Sequence, residues 1–498
     1  MTEDQRRNNP FSILHISDLH RSPNDPISNA ELISALISDR ERYLHETPRI
    51  AAPEAIVVSG DIIQGVPLGA DNYESKLASQ YAVAEEFLDE LARRFIEGDR
   101  SRLIMVPGNH DVDWNTAFKA MQAIDPKDVP GSLTSALYTE NSQYRWDWNT
   151  RTLYRIQHTE LYEKRMEAFW CFFEKFYSGV PGLLKVHART DANLFQLCNN
   201  RIGVAAYNSC HGNDCFAFHG MIRKDIVARS HLELVDTHKI FDLCMAVWHH
   251  STEGPPYHND YMDVDIVRGM IGRGFRLGLY GHQHKAQVTP RQVWLPDRER
   301  MAIVSAGSLC AGVSELPTGV FRQYNVLEIS DNFTSVCVHV RAMAVANLFS
   351  RSQLIDFGGT SYAKLDWNPP RNVVGGIINT GAARLRLAIE EAEFEAKTGN
   401  PQRTVEILRI YTMPPGSYER QLLLTSATEA QEWTVIVAIT DPPTTIEELI
   451  QRVQACNKLG ETSTATASLD QYAKVLELPQ PLEEDLRRRI NAQGVIRQ

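Results

Sequence analysis

Short apolar runs and amphipathic segments alternate along the first third of the chain. Three apolar runs, Phe11–Ile16, 55–59 and 102–106, have the length that is typical of buried strands. The segment between the first two runs has apolar residues at helical spacing. In segment 77–95, between the second and third runs, apolar residues recur every four and three residues in turn, which marks one face of a helix. This strand–helix–strand order predicts an α/β fold with a layered core.

The pattern changes between about residues 113 and 200. This stretch carries four of the eight tryptophans, and its segment 161–177 has the dense aromatic pattern of a helix. We interpret the stretch as a helical, cap-like insertion beside the functional site. Its aromatic side chains either pack the insertion against the core or stack on a substrate, and packing is favoured because aromatic residues dominate cores generally.

Strand-like runs resume after residue 200. The later predicted strands are 202–207, 243–248, 275–280, 301–305 and a strand-rich stretch from 324 to about 340. Two prolines and then a glycine pair mark a domain boundary near residue 370. We therefore predict one domain over residues 1–370 and a second over 371–498.

The second domain has a mainly helical pattern. Segments 382–396 and 404–411 resemble a helical hairpin, and 432–440 resembles one short strand. Two further helices are predicted at 445–459 and 468–476. This order predicts a mainly helical α+β domain without catalytic motifs, which we interpret as an interaction domain.

The composition is that of an ordinary globular protein, with 43% hydrophobic residues, 23% charged residues and a net charge of −11. This acidity disfavours a nucleic-acid coat protein or a polybasic membrane binder, although it allows a local basic groove. No apolar stretch approaches the roughly 18 residues of a membrane helix, and the polar start shows no signal peptide. The eight cysteines form no C-x-x-C pair, which is typical of a reduced compartment. We expect a cytoplasmic protein with no membrane partner.

Five short polar motifs follow predicted strands. They are Ser17-Asp18-Leu19-His20, Gly60-Asp61, Gly108-Asn109-His110-Asp111, Trp248-His249-His250 and Gly281-His282-Gln283-His284. Their carboxylates, imidazoles and carboxamide are ligand types that suit Mn²⁺, Fe or Zn²⁺. The carboxyl ends of strands are where α/β folds place such groups. The motifs therefore predict a metal site at one edge of the core.

Two choices of residue stay open at this point. His249 is favoured over His250 as a ligand because it follows the strand directly, while His250 could still line the site. Asn208 and Cys210, after the strand 202–207, could equally face the metals or simply end a strand.

The order of the five motifs resembles that of the calcineurin-like metallophosphoesterases. That family is marked by D-x-H, G-D, G-N-H-D/E, a lone histidine after a strand, and G-H-x-H, and all five patterns occur here across about residues 11–340. The resemblance implies a β-sandwich core flanked by helices and a binuclear metal centre. The motif order is most similar to the bacterial cyclic-nucleotide phosphodiesterase branch. Ser251-Thr252 departs from that branch, which usually has proline after the two histidines.

The resemblance also implies a role for each motif residue. One metal would be bound by Asp18, His20 and His284, the other by Asn109, His249 and His282, and Asp61 would bridge the two. His110 would lie near the leaving oxygen as the general acid, and Asp111 would hydrogen-bond behind it to fix its tautomer. Manganese is the expected metal, with iron and zinc as alternatives.

The leading hypothesis is a metal-dependent hydrolase of phosphoric esters, most simply a phosphodiesterase that acts through a metal-bridging hydroxide. Its substrate would be a cyclic nucleotide or another small nucleotide, or else a single-stranded nucleic acid. The alternatives are a single-strand nuclease subunit that acts with a partner and a phosphomonoesterase. A hypothesis from another class is an interaction subunit, whose domain 371–498 docks a protein partner or forms a homo-oligomer.

Overall fold

The structure is a computed structural model in which part of the chain is described. The described residues are 10–129, 131–139, 141–237, 241–254, 260–292, 299–312, 315–345, 347–354, 357, 359–367, 388–389, 391–393, 395–411 and 413–496. The domain boundary predicted near residue 370 and the start of the predicted helix 382–396 lie outside them. Contacts divide the chain into two compact units, the first of which ends in sequence at residue 371.

The strands of the first unit are short and form three sheets. In chain order they are β1 (Phe11–Ile16), β2 (Ala55–Val58), β3 (Leu103–Met105), β4 (Met121–Ile124), β5 (Tyr144–Asp147), β6 (Thr152–Ile156), β7 (Ala192–Leu197), β8 (Ile202–Tyr207), β9 (Leu243–Val247), β10 (Phe275–Tyr280), β11 (Gln287–Gln292), β12 (Arg300–Ser305), β13 (Gln323–Ile329), β14 (Ser335–Val345), β15 (Leu348–Arg351) and β16 (Tyr362–Asp366). The first sheet has the order β15-β14-β13-β1-β2-β3, with β16 also paired to β14, and the second has the order β11-β12-β10-β9-β8-β7.

The site depends on the parallel strands at the centre of each large sheet. Strands β1, β2 and β3 run parallel in the first sheet, and β8, β9, β10 and β12 run parallel in the second. One hydrophobic core contains side chains from both sheets, for example Ile13 and Val57 from the first and Val204 and Leu279 from the second. The α/β sandwich that the sequence predicted is therefore confirmed.

Helices pack against the strands of the first unit and against one another. Those of the first unit are Asn29–Arg40, Tyr73–Phe95, Trp114–Lys119, Leu133–Tyr138, Thr159–Glu163, Glu167–Tyr177, Lys224–Asp236 and Val264–Gly272. The first is fixed by a capping box, because Ser28 Oγ accepts from the Glu31 amide and Glu31 Oε2 accepts from the Ser28 amide. The side chains of Leu77, Tyr81 and Leu88 repeat on the buried face of the second helix, as the spacing predicted.

Residues 113–200 contain more than the helices that the sequence predicted. A three-stranded antiparallel sheet of order β4-β6-β5 lies there, which the polar and irregular sequence of 121–156 did not indicate. The aromatic helix Glu167–Tyr177 is present, and its side chains are part of the main core of the unit. Phe172 stacks on Tyr81 at 5.1 Å between ring centroids, so the aromatic side chains of this helix serve packing.

The second unit is helical throughout its described residues. Residues 388–389, 391–393 and 395–397, in the predicted helix 382–396, are helical. The helices that follow are Pro401–Leu408, Tyr418–Glu429, Trp433–Ile439, Ile446–Leu459, Thr462–Tyr472 and Gln480–Ile496. The expected strand at 432–440 is wrong, because Trp433–Ile439 is a helix whose side chains pack in the core of this unit. Its β-branched residues favour a strand only weakly, and packing decides between the two structures. No helix among the described residues is long and apolar enough to cross a membrane.

Candidate metal centre

The motif residues come together where parallel strands of the two sheets end. Asp18 follows β1, Asp61 follows β2 and Asn109 follows β3, and these three strands are neighbours in the first sheet. His249 and His282 follow β9 and β10, which are neighbours in the second sheet. The fold therefore gathers residues that are far apart in sequence into one buried cluster.

One group of donor atoms contains Asp18, His20, Asp61 and His284. Their ligand atoms all lie within 4.8 Å of one another. His284 Nε2 is 3.2 Å from His20 Nε2 and 3.2 Å from Asp18 Oδ1, so two imidazoles and a carboxylate point at a common position. Two imidazole nitrogens that face each other are readily reconciled by a shared cation, and this donor set suits a first-row transition metal.

A second group forms around the side-chain oxygen of Asn109. It lies 2.9 Å from His249 Nε2 and 3.0 Å from His282 Nδ1. Asp61 connects the two groups, because its Oδ2 is 3.3 Å from His249 Nε2 and 3.8 Å from His20 Nε2. These are the two groups, and the carboxylate between them, that the family resemblance implies.

The backbone of this cluster is unusual. Five residues of the cluster have a left-handed backbone, namely Asp18 (φ 49°), His20 (φ 46°), Asp61 (φ 51°), His282 (φ 72°) and His284 (φ 51°). A side chain in this conformation costs about 1–3 kcal/mol, and such strain collects at functional sites. The sharp turns let residues two apart in sequence direct both side chains to the same position.

Burial and neighbouring charges shift the pKa values of the cluster in opposite directions. Burial alone would lower the pKa of His249, but the carboxylate of Asp61 raises it to about 9. In the same way the carboxylate of Asp18 overcomes burial and raises the pKa of His284 to about 9. Burial would raise the pKa of Asp61, but His249 and other histidines hold it well below its usual range. The carboxylates are therefore ionised and attract positive charge.

His110 lies beside this cluster with one ring nitrogen already engaged. Its Nδ1 is 2.6 Å from the carbonyl oxygen of Gln64, which can only accept, so Nδ1 carries the proton. Its backbone amide donates to Asp61 Oδ1 at 2.9 Å, and its ring centroid is 4.5 Å from that of His20. This arrangement fixes the ring and leaves Nε2 for proton transfer.

Asp111 does not hold His110, and that expectation is wrong. Its carboxylate accepts from the amides of Gly108 (2.8 Å) and Ile62 (3.1 Å) and from the hydroxyl of Tyr81 (3.1 Å). It therefore joins the loop after β3 to the loop after β2. The Gln64 carbonyl takes the place that the sequence analysis gave to Asp111, because a carbonyl on a turn has no sequence signature.

The remaining choices between neighbouring residues have clear outcomes. His249 contacts Asp61 and Asn109, whereas His250 is buried with Nδ1 2.9 Å from Ser209 Oγ. Cys210 is buried and its thiol donates to the carbonyl of Pro107 at 3.6 Å. The Cys210 amide donates to the side-chain oxygen of Asn208, which is the pattern of a strand end.

Several contacts of the ligand side chains were not predicted from sequence. Asp260 Oδ2 lies 3.1 Å from His282 Nε2. The carbonyls of Ser59 and Glu315 lie 2.8 Å from His249 Nδ1 and 2.9 Å from His284 Nδ1, respectively. Such partners orient imidazoles toward a metal. An aspartate in a loop and two carbonyls carry no motif that could have identified them.

The model of the calcineurin-like phosphoesterase family matches residues 11–286. No curated protein matches the sequence. A dimetal phosphatase from Danio rerio is similar at 9% identity, with 72% of this chain and 100% of that chain covered and a TM-score of 0.36. A 5'-nucleotidase from Candida albicans is similar at 11% identity, with 68% and 53% covered and a TM-score of 0.36.

Proposed function

Since the chain belongs to the calcineurin-like phosphoesterase family, we propose that it is a binuclear metal-dependent phosphodiesterase that hydrolyses a nucleotide phosphodiester. The observation that carries this proposal is the position of Asp61 between two groups of donor atoms. A carboxylate shared by two donor groups is the arrangement that holds two cations side by side.

The donor set fits a pair of divalent cations. Asp18, His20 and His284 would hold one of them, Asn109, His249 and His282 would hold the other, and Asp61 would contact both. Manganese is the metal that we propose, because carboxylate, amide and imidazole donors without a thiolate suit it. Two bound cations would polarise the phosphate and supply a nucleophile at neutral pH.

Residues of the chain supply the proton for the leaving group and hold the loops of the site in place. His110 is held by the Gln64 carbonyl through Nδ1–H, so in the imidazolium form its Nε2–H can deliver a proton to the leaving alkoxide and return to the neutral ring. Asp111 and Tyr81 keep the two loops that carry Asp61 and Asn109 in register. Positioning these groups in advance lowers the reorganisation that the reaction requires.

A small nucleotide is favoured over a long strand as the substrate. The net charge of −11 works against a polyanion that covers much of the surface. A cyclic nucleotide has one phosphodiester and needs only local contacts. A cyclic nucleotide is therefore the substrate class that we propose first.

The test is a comparison of substrates with manganese-loaded protein. We expect hydrolysis of a cyclic nucleotide, no turnover by Asp61→Ala, and unchanged turnover by Glu90→Gln, which alters a partly exposed carboxylate paired with Arg93 and Arg94. Elemental analysis should find metal in the Glu90→Gln protein and less in Asp61→Ala. Cleavage of single-stranded DNA or of phosphomonoesters alone would overturn the substrate class while leaving the metal centre in place.

A further inference from the structure

A large cavity lies in the first unit, close to the cluster of ligand residues. Its volume is about 770 Å³, which is within the range of sites that bind small molecules. One wall comes from the hairpin β5–β6, with Trp146 and Trp148, and another from the loop after β8, with Gly220. A third wall begins at Tyr261, directly after Asp260.

The walls of the cavity contact residues that touch the candidate ligands. Gly220 packs against His250 so closely that an added β-carbon would lie 2.4 Å from the His250 Cβ. The His250 ring is 4.9 Å from the ring of His282. On the other wall, the Tyr261 carbonyl accepts from the Gly220 amide at 3.1 Å, and its neighbour Asp260 contacts His282. A single residue, His250 on one side and Asp260 on the other, therefore separates the cavity wall from the candidate ligand His282.

Trp148 presents an indole to solvent at the mouth of this cavity. The side chain is 73% exposed, although exposed tryptophan is unfavourable in water. The turn that carries it is well formed, because Asp147 accepts from the Asn149 amide at 2.9 Å and from the Thr150 hydroxyl at 2.6 Å. A rigid turn therefore holds the indole in this exposed position.

Trp146 adds a second aromatic surface and an unused donor. The ring centroids of Trp146 and Trp148 are 6.1 Å apart and the ring planes are at 74° to each other. A flat ligand could therefore stack on the face of one indole and contact the other indole at an angle. The buried N–H of Trp146 has no hydrogen-bond partner among the described residues. Buried donors are nearly always paired in native proteins, so this N–H is an unsatisfied position in the wall that carries the two indoles.

Two of the charged residues that line the cavity, Arg145 and Lys224, differ in whether another side chain already pairs with them. Arg145 is held by Asp214 and by the hydroxyl of Tyr162, so it fixes the wall and is not available to a ligand. Lys224 lines the cavity at the start of the helix Lys224–Asp236 and has no ion pair with any other described residue. Arg165, Glu163 and Asp263 also line the cavity, so its wall carries charges of both signs and favours no net charge in the ligand part that it holds. The aromatic surface of the hairpin is the feature that a flat, uncharged ring matches.

We propose that this cavity binds the nucleobase of the substrate, stacked on Trp148 with Trp146 as the second wall. The proposal rests on the proposed function, since it places the phosphodiester at the metal centre and the base in the cavity. Aromatic stacking suits any base, because every base has a π-face. The cavity thus selects nucleotides over phosphodiesters that lack a base.

The experiment compares two diesters with the same leaving group, of which one carries a base. They are thymidine monophosphate p-nitrophenyl ester and methyl p-nitrophenyl phosphate. For Trp148→Ala we expect KM for the thymidine ester to rise tenfold or more with kcat unchanged, and no change for the methyl ester. Trp148→Phe should recover most of the affinity. Tyr362→Ala, which removes an exposed aromatic ring from β16, is the matched control and should change neither substrate.

Binding of AMP and of ribose phosphate to the metal-loaded protein, measured by calorimetry, separates the two proposals. If both esters are cut and Trp148→Ala does not change the kcat/KM for the thymidine ester relative to that for the methyl ester, the cavity proposal is overturned and the proposed function stands. If neither ester nor a cyclic nucleotide is cut but AMP binds more tightly than ribose phosphate and Trp148→Ala removes the difference, the cavity binds a base and the proposed function is overturned. If none of the three is cut and AMP has no advantage, both proposals are overturned.

Discussion

Asp260 Oδ2 lies 3.1 Å from Nε2 of His282, while the other nitrogen of the same ring faces the side-chain oxygen of Asn109. The histidine is thus held between a carboxylate and a candidate metal position. A carboxylate in this place fixes the ring orientation and raises the basicity of the ligating nitrogen.

Loss of this contact should weaken metal binding. We expect Asp260→Asn to lower the affinity for manganese about 10–100-fold, because the ring loses its charged partner. Calorimetric titration of the metal-free protein measures the change directly. Asp331→Asn, an exposed aspartate on another loop, is the control. Equal affinities for the two variants would show that Asp260 has no role in positioning His282.

His110 should matter for proton transfer and not for metal binding. His110→Gln should lower kcat about 10²–10⁴-fold on a substrate with an alkoxide leaving group, because that group must be protonated. A p-nitrophenolate leaving group needs no proton, so turnover of a p-nitrophenyl ester should fall far less. Metal content by elemental analysis should stay the same. Loss of metal in this variant would contradict the assignment of His110 as general acid.

Asp111 should act on stability, through the loops that it joins. Asp111→Asn should lower the free energy of unfolding by about 1–3 kcal/mol, since one carbonyl oxygen cannot serve the three donors that now share the carboxylate. Tyr81→Phe removes one of those donors and should have a smaller effect, about 1 kcal/mol. Urea denaturation of the metal-free proteins measures both. A larger effect from Tyr81→Phe would show that the phenol, and not the carboxylate, holds the loops.

Two glycines provide a matched test of the close approach to His249. A β-carbon at Gly60 (φ +101°) would lie 2.4 Å from His249 Nδ1, whereas one at Gly98 (φ +77°) would meet nothing within 4 Å. Both alanine variants carry backbone strain, but only Gly60→Ala should displace the imidazole and lower manganese affinity. Thermal unfolding reports the strain, and metal titration reports the displacement. Equal loss of metal affinity in both variants would show that strain alone is responsible.

Metal removal should destabilise the first unit. Ligands that bind only the folded state stabilise it, by about 2.7 kcal/mol at a free concentration of 100 times Kd. A chelator should therefore lower the melting temperature of the wild-type protein, and manganese should restore it. The melting temperature of Asp61→Ala should respond much less to either addition. An identical response in the two proteins would place the stabilising metal elsewhere.

The sequence allowed the sandwich and the grouping of the motif residues to be predicted for a simple physical reason. Buried parallel strands are continuous apolar runs, and the carboxyl ends of strands in one sheet meet at one edge, so polar residues after β1, β2 and β3 had to come together. The contacts of Asp111 and Asp260 could not be predicted, because they depend on loop conformations. The left-handed backbone at Asp18 and Asp61 was also invisible, since aspartate does not encode it.

Packing explains the errors in the rest of the chain. Segment 433–439 is rich in β-branched residues, yet the second unit buries Ile436 on a helix. The hairpin of Trp146 and Trp148 belongs to a small sheet whose strands are too short and polar to show a period of two. The interaction role of residues 371–498 stays a prediction.

The left-handed backbone of Asp18, His20, Asp61, His282 and His284 has an evolutionary consequence. Glycine adopts this conformation freely, so replacing any of these residues by glycine would remove a donor atom and relieve strain in a single mutation. Random drift under selection for stability alone would therefore erode this centre one residue at a time. Glycine variants at these five positions should therefore unfold at a higher free energy than the wild-type protein while binding metal less tightly, a trade between stability and chemistry that is built into the backbone.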